Sequence, residues 1–258
     1  MGYAQKNTTV IKTLDILNLF ARYDKLSLQE LMNLSGMPRT SLLRMLASLE
    51  EMGFLQKDGH GKYALGLIFL EFGQRVAERL DIRGIALPVM RQLQQDADEA
   101  VNLIIVDGND AVYIEKIETS HPVKAYTAIG RRAPLYGGAC PKILLAFMPE
   151  AERERYIQET KLVQYAQGTI VDKEELRQEI QMIRSRGYSV SHSELRDFTS
   201  AVAVPIFNQE GHCVAGLSLV GLTVRFTADR IDRFVPLLKV AAGEISGQMG
   251  WRGKDNVT

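Results

Sequence analysis

The chain reads Leu26-Ser27-Leu28-Gln29-Glu30-Leu31 and, after a short gap, Ser35-Gly36-Met37-Pro38-Arg39-Thr40-Ser41-Leu42-Leu43-Arg44-Met45-Leu46. These two stretches decide the fold of its first part. Ser27 followed three residues later by Glu30 is a capping box, which starts a helix. Gly36 suits the end of that helix and Pro38 the first position of the next. We predict two short helices joined by a tight turn, the helix-turn-helix arrangement.

The second of these helices is amphipathic. Leu42, Met45, Leu46 and Leu49 recur at helical spacing and predict a core face. In a helix-turn-helix the second helix enters the major groove of DNA, where arginine binds guanine edges or phosphates. The predicted DNA contacts are Thr40, Arg44 and Ser48 on the opposite face, Ser41 on its flank and Arg39 in the first turn. The alternative is a three-helix bundle whose basic face is simply solvated.

The flanking segments complete a winged helix-turn-helix over residues 1–65. Val10, Leu14 and Leu17 predict the core face of a preceding helix, capped by Asn7 or Thr8. Beyond residue 53, two short strands around a Gly-rich turn predict a wing, with Lys57 and Lys62 placed to touch phosphates. The apolar run 67–72 predicts a linker helix over residues 66–80. It packs on both domains or a partner chain, or it is an ordinary core helix.

Composition bounds the class of protein. The 258 residues carry a formal net charge of zero, so DNA binding must come from local placement of basic groups. Neither the two cysteines nor the four histidines show metal-ligand spacing. We therefore expect no metal and no cofactor. The longest apolar runs are too short to span a membrane and no signal peptide precedes them, so we expect a cytoplasmic protein without a membrane partner.

From residue 81 the pattern changes to alternating strands and helices, which predicts an α+β domain over 81–258. Its antiparallel sheet would have helices segregated around it. Predicted helices span 81–97, 141–148, 150–158 and 172–186, the last capped by Asp172. Predicted strands span 101–106, 111–117, 122–128, 188–193, 201–207 and 214–220. A final helix, capped by Thr227, would bury Ile231, Phe234, Val235 and Leu238.

The chain resembles the IclR family of transcriptional regulators. The resemblance starts with the two stretches quoted above and Leu49-Glu50-Glu51-Met52-Gly53-Phe54. It continues through Gly61-Lys62-Tyr63-Ala64-Leu65-Gly66, Val101-Asn102-Leu103, Gly130-Arg131-Arg132-Ala133-Pro134-Leu135, Lys142-Ile143-Leu144-Leu145-Ala146-Phe147, Arg186-Gly187-Tyr188, Ala203-Val204-Pro205-Ile206 and Leu217-Ser218-Leu219. It implies a GAF-like C-terminal domain that binds small, often acidic metabolites. It also implies a homodimer, or a tetramer, on a near-palindromic operator in double-stranded DNA.

The stretch Tyr136-Gly137-Gly138-Ala139-Cys140-Pro141-Lys142 is the most pointed effector-site candidate. We predict a helix starting at Pro141, whose exposed N–H groups and dipole attract a carboxylate. The alternative is a plain turn into a helix. Predicted effector-binding residues are Asn102, Tyr126, Tyr136, Gly138, Ala139, Cys140, His192, Glu194, Ser200, Ser218 and Val220, each with a purely structural role as its alternative.

The sequence departs from the family pattern in this region. Tyr136 and Pro141 stand where the family has His and Gly. The family's set of one acidic residue, one Cys and two Ser falls on His192, Ala201, Ser218 and Val220, of which only Ser218 is kept. The resemblance therefore argues against a glyoxylate-like effector and favours a larger or more apolar one, an organic-acid-like or aromatic metabolite.

Cys140 opens two alternatives to a metabolite-controlled repressor. At a helix start its thiol would have a lowered pKa, which suits a redox-sensing regulator. It would also suit a Cys-dependent enzyme with His121 or His192 as base. No Cys-His signature accompanies Cys140, and we expect a regulator that is not an enzyme.

Overall fold

The computed structural model describes residues 7–78 and 81–253. The chain divides after Arg79 into two compact units. The first contains α1 (Thr8–Leu19), β1 (Leu26–Ser27), α2 (Leu28–Ser35), α3 (Arg39–Glu51), β2 (Leu55–Lys57), β3 (Lys62–Leu65) and α4 (Ile68–Glu78). Its strands form a small antiparallel sheet in the order β1-β3-β2. The sheet therefore contains the predicted hairpin of β2 and β3 and one further strand, β1. The division into 1–65, 66–80 and 81–258 stays a prediction.

The residues that the sequence predicts to start and end α2 do so in the structure. The backbone N–H of Ser27 donates to Glu30 Oε2 at 2.7 Å, and the backbone N–H of Glu30 donates to Ser27 Oγ at 3.3 Å, which closes the capping box. Gly36 ends α2 with φ +65°, a left-handed conformation that favours glycine. Pro38 is the N-cap of α3 rather than its first residue, because its ψ of 139° is still extended.

The core of the first unit lies where α1, α2, α3 and the sheet meet. Ile16 of α1 and Phe20, the residue that follows the helix, pack there with Leu31, Leu42 and Leu46. The predicted core face of α1 was wrong for Val10 and Leu14, which are each 52% exposed, whereas Leu17 is partly buried and packs against the core. Helix α1 carries two apolar stripes, and only the tertiary packing decides which of them is buried.

We expect Ser27→Ala to destabilise the first unit by about 1 kcal/mol, since the mutation removes the acceptor for a helix N–H. Urea unfolding followed by circular dichroism measures this. Ser41→Ala, which changes an exposed serine inside α3, is the matched control and should leave the free energy of unfolding unchanged. Equal stability of the two variants would show that the capping box does not stabilise α2.

The second unit is α+β, as predicted. Its elements are α5 (Asp81–Ala97), β4 (Ala100–Asp107), β5 (Asp110–Ile117), β6 (Arg132–Pro134), α6 (Ala139–Phe147), α7 (Glu150–Glu159), α8 (Lys173–Arg186), β7 (Ser189–His192), β8 (Thr199–Phe207), β9 (Cys213–Leu222), a 3₁₀ turn (Thr223–Arg225) and α9 (Ala228–Gln248). The strands form one antiparallel sheet in the order β6-β5-β4-β9-β8-β7.

Helices cover both faces of this sheet, and strand alternation sends neighbouring residues to opposite faces. Val101 and Leu103 of β4 pack in the cluster that contains α5 and α9. Helices α6, α7 and α8 pack with the opposite face. Asn102, between Val101 and Leu103, therefore faces the α6 side. No helix of the described ranges is long and apolar enough to cross a membrane.

Two local predictions for this unit were wrong, and a third was confirmed. Residues 122–128 form no strand, because the short strand beside β5 is β6, whose Arg132–Pro134 pairs with Asp110–Val112. Helix α6 begins at Ala139, two residues before Pro141. Thr227 occupies the N-cap of α9, as predicted, although its hydroxyl makes no capping hydrogen bond.

Candidate DNA interface and effector cavity

Helix α3 presents the five predicted DNA-contact residues on one side. Leu42, Leu46 and Leu49 are buried. The exposed residues are Arg39, Thr40, Ser41, Arg44 and Ser48. Within residues 7–78 and 81–253, neither arginine forms an ion pair, so both guanidinium groups are available to a base edge or a phosphate. The hydroxyl of Ser48 donates to the carbonyl of Arg44 at 3.2 Å.

The wing places Lys57 and Lys62 in solvent on either side of its turn. Asp58 Oδ1 accepts backbone hydrogen bonds from His60 and Lys62, which fixes the turn. Lys25 Nζ lies 3.0 Å from Asp58 Oδ2, and this hydrogen bond is the main reason why the pKa of Asp58 falls to about 2. The acid at the wing tip is therefore offset by its own cation, which limits its repulsion of phosphate.

A cavity of about 50 Å³ lies between the sheet and the start of α6. We call it the effector cavity. Nine of the eleven predicted effector residues line it: Asn102, Tyr126, Gly138, Ala139, Cys140, Glu194, Ser200, Ser218 and Val220. Sequence reasoning missed further lining residues, among them Thr127, Arg131, Ser191 and Arg196.

Tyr136 and His192 do not line the effector cavity. Tyr136 is only 2% exposed, and its hydroxyl donates to the carbonyl of Val163 at 3.0 Å and accepts from the Val163 N–H at 2.8 Å. His192 is exposed, with Nδ1 2.8 Å from Ser200 Oγ. Because side chains alternate along β7, the neighbour Ser191 faces the cavity in place of His192.

The start of α6 already holds a carboxylate. The backbone N–H of Gly138 donates to Glu194 Oε2 at 2.8 Å, and Lys142 Nζ lies 2.7 Å from Glu194 Oε1. Lys142 is 1% exposed. Burial raises the pKa of Glu194, and the charge of Lys142 opposes that rise. The Gly138 N–H, which the sequence analysis assigned to an effector, thus donates to the carboxylate of Glu194 instead.

Two cations of the effector cavity have no carboxylate partner in the described part of the chain. Arg131 donates to the carbonyl of Tyr126 at 3.1 Å and lies over the ring of Tyr113. Arg196 lies over the ring of Tyr126, 5.1 Å from its centroid. Glu194, in contrast, is offset by Lys142. The excess positive charge favours an anionic ligand.

Two buried oxygens of the cavity lining are unpartnered. Asn102 Oδ1 and Thr127 Oγ1 have no hydrogen-bond partner among the described residues. Leaving a buried polar atom unpaired costs about 1–3 kcal/mol. Water or a ligand therefore has to supply these hydrogen bonds. An amide oxygen accepts only, so its partner must carry an N–H or an O–H.

Cys140 lies among buried residues and is 2% exposed. Burial is the main cause that raises the pKa of its thiol well above the ordinary range. A thiolate is the reactive form of cysteine. The surroundings of Cys140 therefore oppose both the redox-sensing and the nucleophilic role. Neither His121 nor His192 lines the effector cavity. The described residues offer no cluster of three or more His, Cys, Asp or Glu side chains for a metal ion.

Comparison with known proteins assigns both parts of the chain to one family. Residues 9–59 match the IclR helix-turn-helix domain, and residues 74–247 match the bacterial transcriptional regulator IclR C-terminal domain. The chain belongs to the IclR family. It is a DNA-binding transcriptional regulator, and the predicted membership is confirmed.

Individual relatives and solved structures match this chain over nearly its whole length. The chain is 53% identical over 246 residues to the HTH-type transcriptional regulator KipR of Bacillus subtilis, which covers 95% of this chain and 98% of that relative. It is 31% identical to the HTH-type transcriptional regulator KdgR of Escherichia coli, covering 95% and 93%. The crystal structure of the Thermotoga maritima IclR superposes with a TM-score of 0.79 at 32% identity, covering 94% and 99%. Both curated relatives are named as HTH-type transcriptional regulators.

A more distant structure of the same fold was solved with a small molecule. It is an IclR homolog from Microbacterium hydrocarbonoxydans complexed with 4-hydroxybenzoate. Its TM-score is 0.80 at 23% identity, covering 94% of this chain and 99% of that one.

Proposed function

We propose that this IclR-family regulator is a cytoplasmic repressor whose operator binding is controlled by a small anionic metabolite in the effector cavity. The observation that carries the proposal is that an arginine without a carboxylate partner among the described residues and two unpartnered oxygens line the same cavity. Arg131 supplies the charge, and Asn102 and Thr127 supply the oxygens. A complex of another member of the fold with 4-hydroxybenzoate supports a small-molecule ligand.

The lining supports one chemical class of effector, a small acid that also carries a hydrogen-bond donor. A carboxylate is the natural partner of a guanidinium, and we place it at Arg131. A hydroxyl or N–H group on the same molecule would donate to Asn102 Oδ1 and reach Thr127 Oγ1. One water needs about 10–15 Å³ of such space, so a cavity of about 50 Å³ suits a compact ligand. Its size favours a small hydroxylated or amide-bearing acid over the larger or more apolar effector that the resemblance favoured.

We further propose that the repressor acts as a homodimer, or as a tetramer built from dimers. Two α3 helices would then reach successive major grooves, about 34 Å apart, on a near-palindromic operator. Exposed apolar residues on the first unit, among them Val10 and Leu14 of α1 and Leu70 of α4, support an association of this kind. The effector shifts operator affinity only by its difference in affinity for the two states of the assembly.

The test is a DNA shift assay with the promoter fragment beside its own gene, in the presence of lactate, propionate or lactamide. Lactate carries both a carboxylate and a hydroxyl, whereas each of the other two lacks one of them. We expect lactate to change operator affinity or to raise the melting temperature at a concentration about tenfold lower than either control needs. Equal responses to lactate and propionate would contradict the role of Asn102 and Thr127.

Two adjacent arginines provide the matched variants. Arg131 lines the effector cavity, whereas Arg132 pairs with Asp107 and Asp110 outside it. We expect Arg131→Gln to abolish the ligand response and Arg132→Gln to retain it, with operator binding in the absence of ligand intact in both. Specific DNA binding that no small acid affects, in either variant or in the parent protein, would refute effector control and leave a constitutive repressor.

A further inference from the structure

A second cavity lies in the C-terminal unit, at the end of α8 and against β8 and α9. Its volume is about 460 Å³, and its lining shares no residue with that of the effector cavity. We call it the α8–α9 groove and define it by Phe147, Arg184, Phe207, Lys239 and Trp251. Ligand pockets in proteins commonly span about 300–1,000 Å³. The groove therefore has room for a larger organic molecule than the compact acid that suits the effector cavity.

Three aromatic rings form one wall of the α8–α9 groove. The rings of Phe147 and Phe207 meet edge to face with centroids 5.5 Å apart. The rings of Phe207 and Trp251 lie 5.1 Å apart at an interplanar angle of 32°. Phe147, Phe207 and Trp251 are each only partly buried, so ring surface stays open to the groove. Such a row of rings packs well against an apolar or aromatic ligand.

Among the described residues, the charged side chains that line the groove are all of one sign. Arg184, Arg186 and Lys239 line it, and no Asp or Glu of residues 81–253 does. Arg186 is already paired with Glu179, at 3.1 Å. Arg184 and Lys239 are exposed and, within residues 81–253, donate only to backbone carbonyls, at 2.9 and 3.3 Å. Two cations without a carboxylate partner thus stand beside the aromatic wall.

We propose that the α8–α9 groove is a second small-molecule site, separate from the effector cavity, and that it binds an aromatic carboxylate. The ring of the ligand packs on Phe207 and Trp251, and its carboxylate is held by Arg184 and Lys239. The size of the groove, its aromatic wall and its unopposed positive charge all select this class of ligand. A neutral or cationic compound would leave both cations without a partner.

The sequence provides a reporter at this site, because Trp251 is the one tryptophan of the chain. Titration of the full-length protein with phenylacetate, followed by tryptophan fluorescence, tests the proposal. We expect a saturable change in emission, and an affinity for phenylacetamide that is at least about tenfold weaker, since the amide lacks the charge. A linear, unsaturable change, or equal affinity for the amide, would overturn the proposal.

Exposed substitutions locate the binding. We expect Arg184→Gln and Lys239→Gln each to weaken phenylacetate binding about tenfold. Arg155→Gln, which changes an exposed arginine of α7 outside the groove, should have no effect. Operator binding and circular dichroism should be unchanged in all three, which separates this site from the proposed effector control. Unchanged affinity in the two groove variants would refute the site.

Sedimentation of the same variants tests the competing occupant, a second copy of the chain. If Arg184→Gln or Lys239→Gln lowers the mass of the assembly and phenylacetate leaves Trp251 emission unaltered, the groove is an interface between copies and the proposal is wrong. An unchanged mass together with a saturable response supports the ligand site.

Discussion

Replacing Arg44 with alanine is expected to lower operator affinity about 5- to 150-fold, which corresponds to about 1–3 kcal/mol. Arg44 is exposed on α3, on the side away from the buried Leu42 and Leu46, and it forms no ion pair within the described residues. If Arg44 contacts DNA, the substitution removes that contact and breaks no ion pair among the described residues. The helix that carries it keeps its buried face and should remain folded.

The measurement is fluorescence anisotropy with an operator duplex and an unrelated duplex at two salt concentrations. If Arg44 contacts a base edge, Arg44→Ala lowers affinity for the operator more than affinity for the unrelated duplex. Lys62→Ala should instead weaken both and reduce the slope of log affinity against log salt by about 1, as for a lost phosphate contact. Arg22→Ala, an exposed arginine outside α3 and the wing, is the control. If the Arg44→Ala variant binds the operator with the affinity of the parent protein, α3 is not the helix that contacts the base edges.

The first unit was predictable because its signals are local. The capping box of Ser27 and Glu30 and the left-handed Gly36 act over three or four residues, so the sequence alone locates α2 and the turn. The buried face of α1 is a different matter. Val10 and Leu14 satisfy the same helical spacing as Ile16 and Phe20, and only packing against α2 and the sheet distinguishes the two stripes. Strand β1 could not be predicted, because a strand of two residues is too short to show an alternating hydrophobic pattern.

The effector cavity was predictable in part, for reasons of register. The lining residues at the start of α6 were predicted correctly, because two glycines before a helix form a local pattern that the sequence shows directly. His192 was chosen where Ser191 lines the cavity, since a shift of one residue along a strand exchanges its two faces. Arg131 and Arg132 look alike in the sequence, and only β6 pairing sends one inward and the other to Asp107 and Asp110. The partner of Gly138, Glu194, lies 56 residues away and leaves no local trace.

Replacing Lys142 with methionine is expected to destabilise the C-terminal unit by about 3–5 kcal/mol, the range for removing one partner of a buried ion pair. Lys142 and Glu194 are both almost completely buried, with Nζ and Oε1 2.7 Å apart. Methionine fills most of the space of the lysine stem but leaves the carboxylate of Glu194 without a counter-charge. Glu179, the other acid near Lys142, keeps Arg186 as its partner. Urea unfolding followed through Trp251 emission reports this unit specifically.

The pH dependence separates a lost charge partner from lost packing. Burial already raises the pKa of Glu194 and Lys142 opposes that rise, so Lys142→Met raises it further. A carboxyl group whose pKa is higher in the folded state contributes most to stability when it is protonated, and that contribution is lost as pH rises through the folded-state pKa. The loss of stability caused by Lys142→Met should therefore be largest at neutral pH and shrink as the medium is acidified.

Adding Glu194→Gln, whose amide oxygen still accepts from Gly138, should recover stability at neutral pH and abolish the pH dependence of that loss. Lys161→Met, at an exposed lysine, should match the parent throughout. A deficit independent of pH, unchanged by Glu194→Gln, would mean that Lys142 stabilises the unit by its stem alone.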